Sequence, residues 1–151
     1  PPKLAAYDAA LAEAGVGNYN LVTLSSVLPA DPDLEVVGTA PDLGPVGNEL
    51  RVVQSRADAL PNQTDADEGA ETAAAGIGWA RSESGRGIFY EVEGADAAAV
   101  ESEIREGLAA GKALRDWTFV DEDVVVREVT ATEGFACAVV LATYGESRRV
   151  M

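Results

Sequence analysis

The chain has 151 residues, 47% of them hydrophobic, which suits one folded domain with a real core and excludes a disordered chain. Its 26 acidic and 11 basic residues give a net charge of −15, which excludes nucleic acids and anionic membranes as partners. Histidine is absent and Cys137 is the single cysteine, so histidine-based triads, internal disulfides and cysteine–zinc sites are excluded, and we expect no metal site.

The acidic residues are dispersed along the chain, and only two lysines accompany nine arginines. This pattern is typical of proteins adapted to a cytoplasm rich in salt, where carboxylates stay hydrated and their repulsion is screened. No apolar stretch is long enough for a transmembrane helix, and no apolar segment near the N-terminus indicates secretion. We therefore expect a cytoplasmic protein.

Apolar residues at three- and four-residue spacing predict a first helix over 3–14, with Leu4, Tyr7 and Leu11 on one face and Gly15 at its end. The same spacing predicts a second helix over 96–116, with Val100 on its buried stripe. The stripe continues through Ile104, Leu108 and Leu114.

Strand signals lie between and after the helices. The segment 70–80 is ambiguous because its alanines favour a helix whereas Gly76, Gly78 and Trp79 favour a packed strand. We expect acidic loop at 62–68 and a turn at Glu133-Gly134. The predicted strands are 19–24, 35–38, 50–55, 87–93, 118–130 and 135–144. Long strands with only two helices predict an α+β layered sandwich formed by one domain over residues 1–151.

Two groups of carboxylates are candidates for chemistry. Asp8 falls on the apolar stripe of the first helix, where it is either a partly exposed edge residue or a carboxylate that receives a cation such as a guanidinium. Glu91 and Glu93 point to the same side of a strand, either as a solvated face or as an acid and its neighbour. Cys137 lies in an apolar run and is expected to be an inert core thiol.

A longer pattern surrounds the pair Ser25-Ser26. The segment 14–29 reads AGVGNYNLVTLSSVLP and resembles the self-cleavage region of pyruvoyl-dependent arginine decarboxylases. Residues 7–11 (YDAAL) are similar to the first helix of that family, and residues 87–94 (GIFYEVEG) are similar to its second active-site strand. The resemblance continues in family order through the helix from Asp96 and the strand with Cys137, and so covers nearly the whole chain.

The resemblance implies a self-processing enzyme that converts L-arginine to agmatine and carbon dioxide, a step toward polyamines. Loss of carbon dioxide needs an electron sink, and Lys3 and Lys112 are poor candidates for a pyridoxal phosphate lysine. In the family, the hydroxyl of the second serine attacks the preceding carbonyl, and the ester eliminates to leave an N-terminal pyruvoyl group. The chain would therefore split into 1–25 and 26–151, with the covalent pyruvoyl cofactor derived from Ser26 and with Ser25 as the new C-terminus.

Further roles follow from the matched positions. Asn20 matches the asparagine associated with self-processing, Asp8 the carboxylate that receives the guanidinium, and Glu91 the proposed proton donor to the α-carbon. The family fold is an αββα sandwich, as in pyruvoyl-dependent histidine and arginine decarboxylases. It forms homotrimers, which can pair into hexamers, with active sites between protomers.

The chain departs from the family between Ser55 and Thr72, where an acidic insertion replaces a tight Ser-x-x-Pro-Gly-Glu turn. This departure leaves open the amino acid that the pocket takes. The alternatives are therefore a decarboxylase of another amino acid, for example histidine, and an unprocessed subunit that has only a structural role in a trimer.

Overall fold

The computed structural model of the chain describes residues 2–30, 34–61, 71–132 and 134–150. Two helices and seven strands are found in these ranges. In chain order they are α1 (Lys3–Glu13), β1 (Asn20–Thr23), β2 (Val27–Leu28), β3 (Glu49–Ala59), β4 (Glu71–Ser82), β5 (Gly87–Gly94), α2 (Ala97–Ala113), β6 (Phe119–Ala131) and β7 (Ala136–Thr143).

The strands form two stacked sheets. The first sheet has the order β1-β3-β7, with β1 parallel to β3 and β7 antiparallel to it. The second sheet has the order β2-β5-β4-β6 and is antiparallel throughout. Helix α1 packs against β7, and α2 packs against β4, β5 and β6. The layers therefore run helix, sheet, sheet, helix, which confirms the expected α+β sandwich.

Helix α1 ends where the sequence predicts, but it buries a different face. Gly15 has a φ of +83°, and the N–H of Val16 reaches back to the carbonyl of Leu11, which closes the helix. Leu4 is 70% exposed, whereas Ala6 and Leu11 are buried. The predicted stripe is therefore wrong at its first position, because the helix touches the sheet along the line through Ala6 and Leu11.

Helix α2 is the element that the sequence predicts best. Its stripe of Val100, Ile104 and Leu108 is buried against the second sheet, and the carboxylate of Asp96 accepts a hydrogen bond from the N–H of Ala99 at 2.8 Å as its N-cap. Leu114 lies just beyond the last helical residue and is 84% exposed, so it does not continue the stripe.

The ambiguous segment 70–80 belongs to strand β4, from Glu71 onward, at the centre of the second sheet. A Cβ atom at Gly78 would overlap Ile104, and one at Gly76 would lie 2.8 Å from the same side chain. The small residues of this strand therefore let α2 approach the sheet closely.

The remaining differences concern short elements. The expected strand at 35–38 is absent from that described segment, the short strand β2 was not predicted, and β3 extends beyond Ser55 to Ala59. The acidic loop at 62–68 and Glu133 of the predicted turn lie outside the described residues. Among the described helices, none is long and apolar enough to cross a membrane.

Candidate active site at the crossing between the sheets

Ser25 and Ser26 lie where the chain passes from the first sheet to the second. Strand β1 ends at Thr23, and the N–H of Leu24 still donates to the carbonyl of Val52 in the first sheet at 2.7 Å. Three residues later, at Val27, the chain pairs with β5 in the second sheet. Ser25 is exposed and Ser26 is half-buried. The peptide bond between the two serines therefore lies at a fixed crossing point between the sheets, next to an exposed residue.

The side chain of Ser26 is bound to the predicted acid. Its Oγ donates a hydrogen bond to Oε2 of Glu91 at 2.9 Å, across 65 residues of sequence. The carbonyl of Ser26 accepts a hydrogen bond from the N–H of Phe89 at 2.9 Å. Two of the predicted site residues are thus brought together, with a carboxylate placed to accept a proton from a serine hydroxyl.

Strand β5 holds Glu91 in place through a buried serine. The Ser55 hydroxyl donates to the carbonyl of Val92 at 2.6 Å and accepts from the N–H of Gly76 at 3.1 Å. Ser55 belongs to the first sheet, whereas Val92 and Gly76 belong to the second. This hydrogen-bonded bridge lies one residue from Glu91 and fixes the second sheet against the first. In the sequence, the only sign of this bridge is a serine at a position of β3 whose buried neighbours are apolar.

Tyr144 is a site residue that the sequence did not reveal. Its hydroxyl donates to the carbonyl of Val27 at 2.9 Å, and its ring meets the edge of Phe89 at a centroid distance of 6.1 Å. Burial and, to a lesser degree, the negative charge of Glu91 raise the pKa of Tyr144 above its ordinary value. Tyr144 therefore lies beside both Glu91 and the segment that follows the two serines.

Asn20 lies at the start of β1, and its side chain has another partner. Its Nδ2 donates to the carbonyl of Gly47 at 2.7 Å, and its backbone N–H donates to the carbonyl of Asn48 at 2.8 Å. No hydrogen bond of the described residues joins Asn20 to the serine pair. Its role in self-processing stays a prediction.

Asp8 is exposed on α1, as an edge residue of the apolar stripe would be, and its pairing with a guanidinium stays a prediction. The neighbouring Tyr7 anchors the helix, because its hydroxyl donates to Gln54 at 3.0 Å and the guanidinium of Arg56 lies 3.9 Å from its ring centroid. Within the described part of the chain, no hydrogen bond or ion pair joins Asp8 to Ser26 or Glu91. Asp8 projects from the layer outside the first sheet, whereas Glu91 belongs to the second.

Glu93 is exposed two residues beyond Glu91, and the alternation along β5 places both carboxylates on the same side of the strand. The even-numbered residues Ile88 and Val92 pack into the core with α2, which leaves the odd-numbered ones facing the other way. The described hydrogen bonds bring Glu91, and not Glu93, to Ser26. The structure therefore distinguishes two carboxylates that are alike in sequence.

Cys137 lies apart from this site, and the cavity between the sheets shares the side chain of Phe89 with it. Burial, with a smaller effect of Asp58, raises the pKa of the Cys137 thiol to about 11, in agreement with the expected inert thiol.

A cavity of about 470 Å³ opens between the sheets, lined mainly by apolar side chains that include Trp79 and Phe89. Ser26, Glu91 and Asp8 do not line it. No group of three histidine, cysteine or acidic side chains among the described residues could hold a metal ion.

Comparison with known proteins gives one consistent family. The family model described as "Pyruvoyl-dependent arginine decarboxylase (PvlArgDC)" matches residues 1–149. A protein of Halobacterium salinarum named pyruvoyl-dependent arginine decarboxylase is 46% identical over 97% of this chain and 88% of its own length. One of Pyrococcus horikoshii with the same name is 34% identical over 91% of this chain and 82% of its own.

A solved structure of a pyruvoyl-dependent histidine decarboxylase has a similar fold. The match has a TM-score of 0.50 at 13% identity and covers 67% of this chain and 52% of that one. At this identity the match supports the layered fold alone.

Proposed function

The chain belongs to the pyruvoyl-dependent arginine decarboxylase family, and we propose that it cleaves itself between Ser25 and Ser26 and then converts L-arginine to agmatine and carbon dioxide. The observation that carries the proposal is the hydrogen bond of 2.9 Å from Ser26 Oγ to the carboxylate of Glu91. A base that takes the proton of a serine hydroxyl makes the oxygen a better nucleophile, and in this chain, which has no histidine, the carboxylate of Glu91 is placed to do so.

In the first step, Ser26 Oγ attacks the carbonyl carbon of Ser25 and passes its proton to Glu91. The bond from that carbon to the nitrogen of Ser26 breaks, and the nitrogen takes up a proton, so the peptide becomes an ester. Elimination then removes the α-proton of residue 26 and breaks its Cβ–Oγ bond, which releases Ser25 as a carboxylate and leaves a dehydroalanine. The dehydroalanine tautomerises to an imine, and water replaces its nitrogen with a keto oxygen while ammonia leaves. The product is a chain that begins with a pyruvoyl group.

The residues around Ser26 fit such a group. Phe89 N–H holds the carbonyl of residue 26, and the Tyr144 hydroxyl holds the carbonyl of Val27, so both contacts survive loss of the nitrogen of Ser26. Glu91 lies against the side chain of residue 26, whose Cβ atom becomes the methyl group beside the keto carbon. The pyruvoyl group supplies the electron sink that decarboxylation needs. Once carbon dioxide has left, Glu91 donates a proton to the α-carbon, since its carboxyl group contacts the side chain of residue 26.

The guanidinium of arginine pairs with Asp8 in this proposal, because a carboxylate and a guanidinium form a bidentate charge-assisted hydrogen bond. Asp8 and Glu91 belong to different layers of one chain. The family resemblance implies a homotrimer with its sites between protomers, and we propose that Asp8 of one copy completes the site at Ser26 and Glu91 of another. Both Asp8 and Glu91 are exposed in the single chain, as residues that close a site between copies must be.

The mass of the purified chain tests the proposal. We expect fragments of residues 1–25 and 26–151, the larger one beginning with a pyruvoyl group in place of serine. Ser26→Ala should stay whole because the nucleophile is gone. Ser25→Ala is the matched control and should still cleave, since Ser25 contributes only its carbonyl.

A wild-type chain that stays whole and yet releases carbon dioxide from arginine would contradict the pyruvoyl mechanism. A cleaved chain that decarboxylates histidine faster than arginine would contradict the substrate. A whole chain without activity would favour the alternative of a structural subunit.

A further inference from the structure

Tyr144 connects the two sheets at the cleavage point. It follows β7, and its backbone N–H donates to the carbonyl of Arg51 at 2.9 Å, so its main chain belongs to the first sheet. Its hydroxyl reaches across to the carbonyl of Val27 in β2, which belongs to the second sheet. The edge contact with Phe89, at an interplanar angle of 80°, holds the ring in this orientation.

Cleavage changes how the segment at residues 26 and 27 is held. In the whole chain, the peptide bond from Ser25 ties it to the first sheet through Leu24, which is bonded to Val52. Cleavage removes that covalent tie. Among the described hydrogen bonds, the one from Tyr144 to Val27 then links this segment to the first sheet.

We propose that Tyr144 is a positioning residue of the decarboxylase: by holding the Val27 carbonyl it keeps residue 26 against Glu91, first for cleavage and then for turnover. The inference rests on the proposed function. Strand β2 has only two residues and pairs with β5 at Val27 and Leu28. A strand this short has few hydrogen bonds to fix its free end. Besides the bond from the N–H of Phe89 to the carbonyl of Ser26, the bond from Tyr144 to Val27 therefore contributes strongly to the position of that end.

The phenol is suited to this task at neutral pH. Burial and the charge of Glu91 raise the pKa of Tyr144, so the hydroxyl keeps its proton and remains a donor. In the proposed function the guanidinium pairs with Asp8 of another copy, whereas Tyr144 contacts Val27 next to the reacting group. Loss of the hydroxyl should therefore affect the reacting group and leave guanidinium binding unchanged.

Tyr144→Phe tests the proposal, because it keeps the ring and its contact with Phe89 and removes only the hydroxyl. We expect slower self-cleavage and a kcat per cleaved chain ~10- to ~100-fold lower, the scale of a misplaced reacting group. The KM for arginine should stay within about 2-fold of wild type. The melting temperature should stay within about 3 °C, since one exposed hydrogen bond contributes little to stability.

Thr72→Val is the matched control, since it also removes one hydroxyl that donates to a backbone carbonyl outside its own strand, here that of Ala95 at 2.9 Å. It should cleave and turn over at the wild-type rate. Wild-type cleavage and kcat in Tyr144→Phe would overturn the proposal, as would an equal loss in the control or a loss confined to KM. A wild-type chain that never cleaves would instead overturn the proposed function itself, and the role of Tyr144 with it.

Discussion

Glu91 faces residue 26 at two different times, first as the acceptor of the Ser26 hydroxyl proton and later, in our proposal, as the donor of a proton to the substrate. Glu91→Gln keeps the shape and can still accept the hydrogen bond from Ser26, but it can neither take nor deliver the proton as a carboxyl group does. We expect slower cleavage that still goes to completion. The kcat of the cleaved chain should fall ~10²–10⁴-fold, as for loss of a general acid, with arginine binding retained.

Glu93→Gln is the matched control for this experiment, because Glu93 shares the face of β5 and the described contacts do not bring it to Ser26. The kcat of this variant should fall only mildly. Single-turnover rates, normalised to the amount of pyruvoyl group, separate chemistry from incomplete cleavage. A Glu91→Gln chain that turns over at nearly the wild-type rate would assign the proton donor to another residue.

The residues that the sequence identified are those within a continuous motif. Ser26 and Glu91 each lie in a recognisable string, and their contact at 2.9 Å gives a physical reason for the pairing. Tyr144 lies 53 residues beyond Glu91 and in the other sheet, where only the stacking of the sheets brings it to Val27. The spacing of Asp8 fits the stripe through Leu4, and both residues are exposed, so spacing alone does not separate a buried position from an exposed edge.

At the scale of elements, the central strand β4 is determined by what packs on it rather than by local preference. Its alanines and glycines predict helix and strand about equally well, and contact with α2 decides between them. Gly78→Ala would place a methyl group in the space of Ile104. We expect a loss of ~1–3 kcal/mol in the free energy of unfolding, the usual cost of overpacking. Denaturant unfolding at matched protein and salt concentrations measures it.

Gly38→Ala is the control, since a Cβ at Gly38 would meet nothing within 4 Å and the residue is exposed. Its free energy of unfolding should change by no more than ~0.5 kcal/mol. Equal stability of the two variants would mean that α2 can withdraw from the sheet without cost, and that the glycines do not set the packing distance.

For the whole molecule, the charge pattern is a surface property, as its dispersal along the chain predicts. No acidic side chain among the described residues is buried, and the partly exposed pairs of Glu122 with Arg105 and Lys112 join β6 to α2. The hydrogen bond from Lys112 holds the pKa of Glu122 below its ordinary value. A surface of this kind repels its own copies unless salt screens it, so assembly should be measured in molar salt, where screening acts within about 3 Å.

Assembly is where the proposed site becomes complete, and mixing two defective chains tests this directly. Asp8→Asn should raise the KM for arginine sharply, because the guanidinium loses its charged partner, whereas Glu91→Gln lowers kcat. If Asp8 of one copy serves Glu91 of another, co-expressed chains of the two variants form some sites with both native groups. Random mixing in equal amounts gives about one quarter of the sites this composition in a closed ring.

Mixed oligomers, purified by a tag on each chain, should therefore recover decarboxylation at arginine concentrations where each variant alone is nearly inactive. Asp8→Asn mixed with the Asp8→Asn/Glu91→Gln double variant is the control, because no site in it regains both groups. Recovery in the first mixture and not in the second places the two carboxylates of one site on different chains. Activity no higher than the sum of the parents would mean that Asp8 and Glu91 act within one chain, which would require the exposed face of α1 to reach β5 of its own fold.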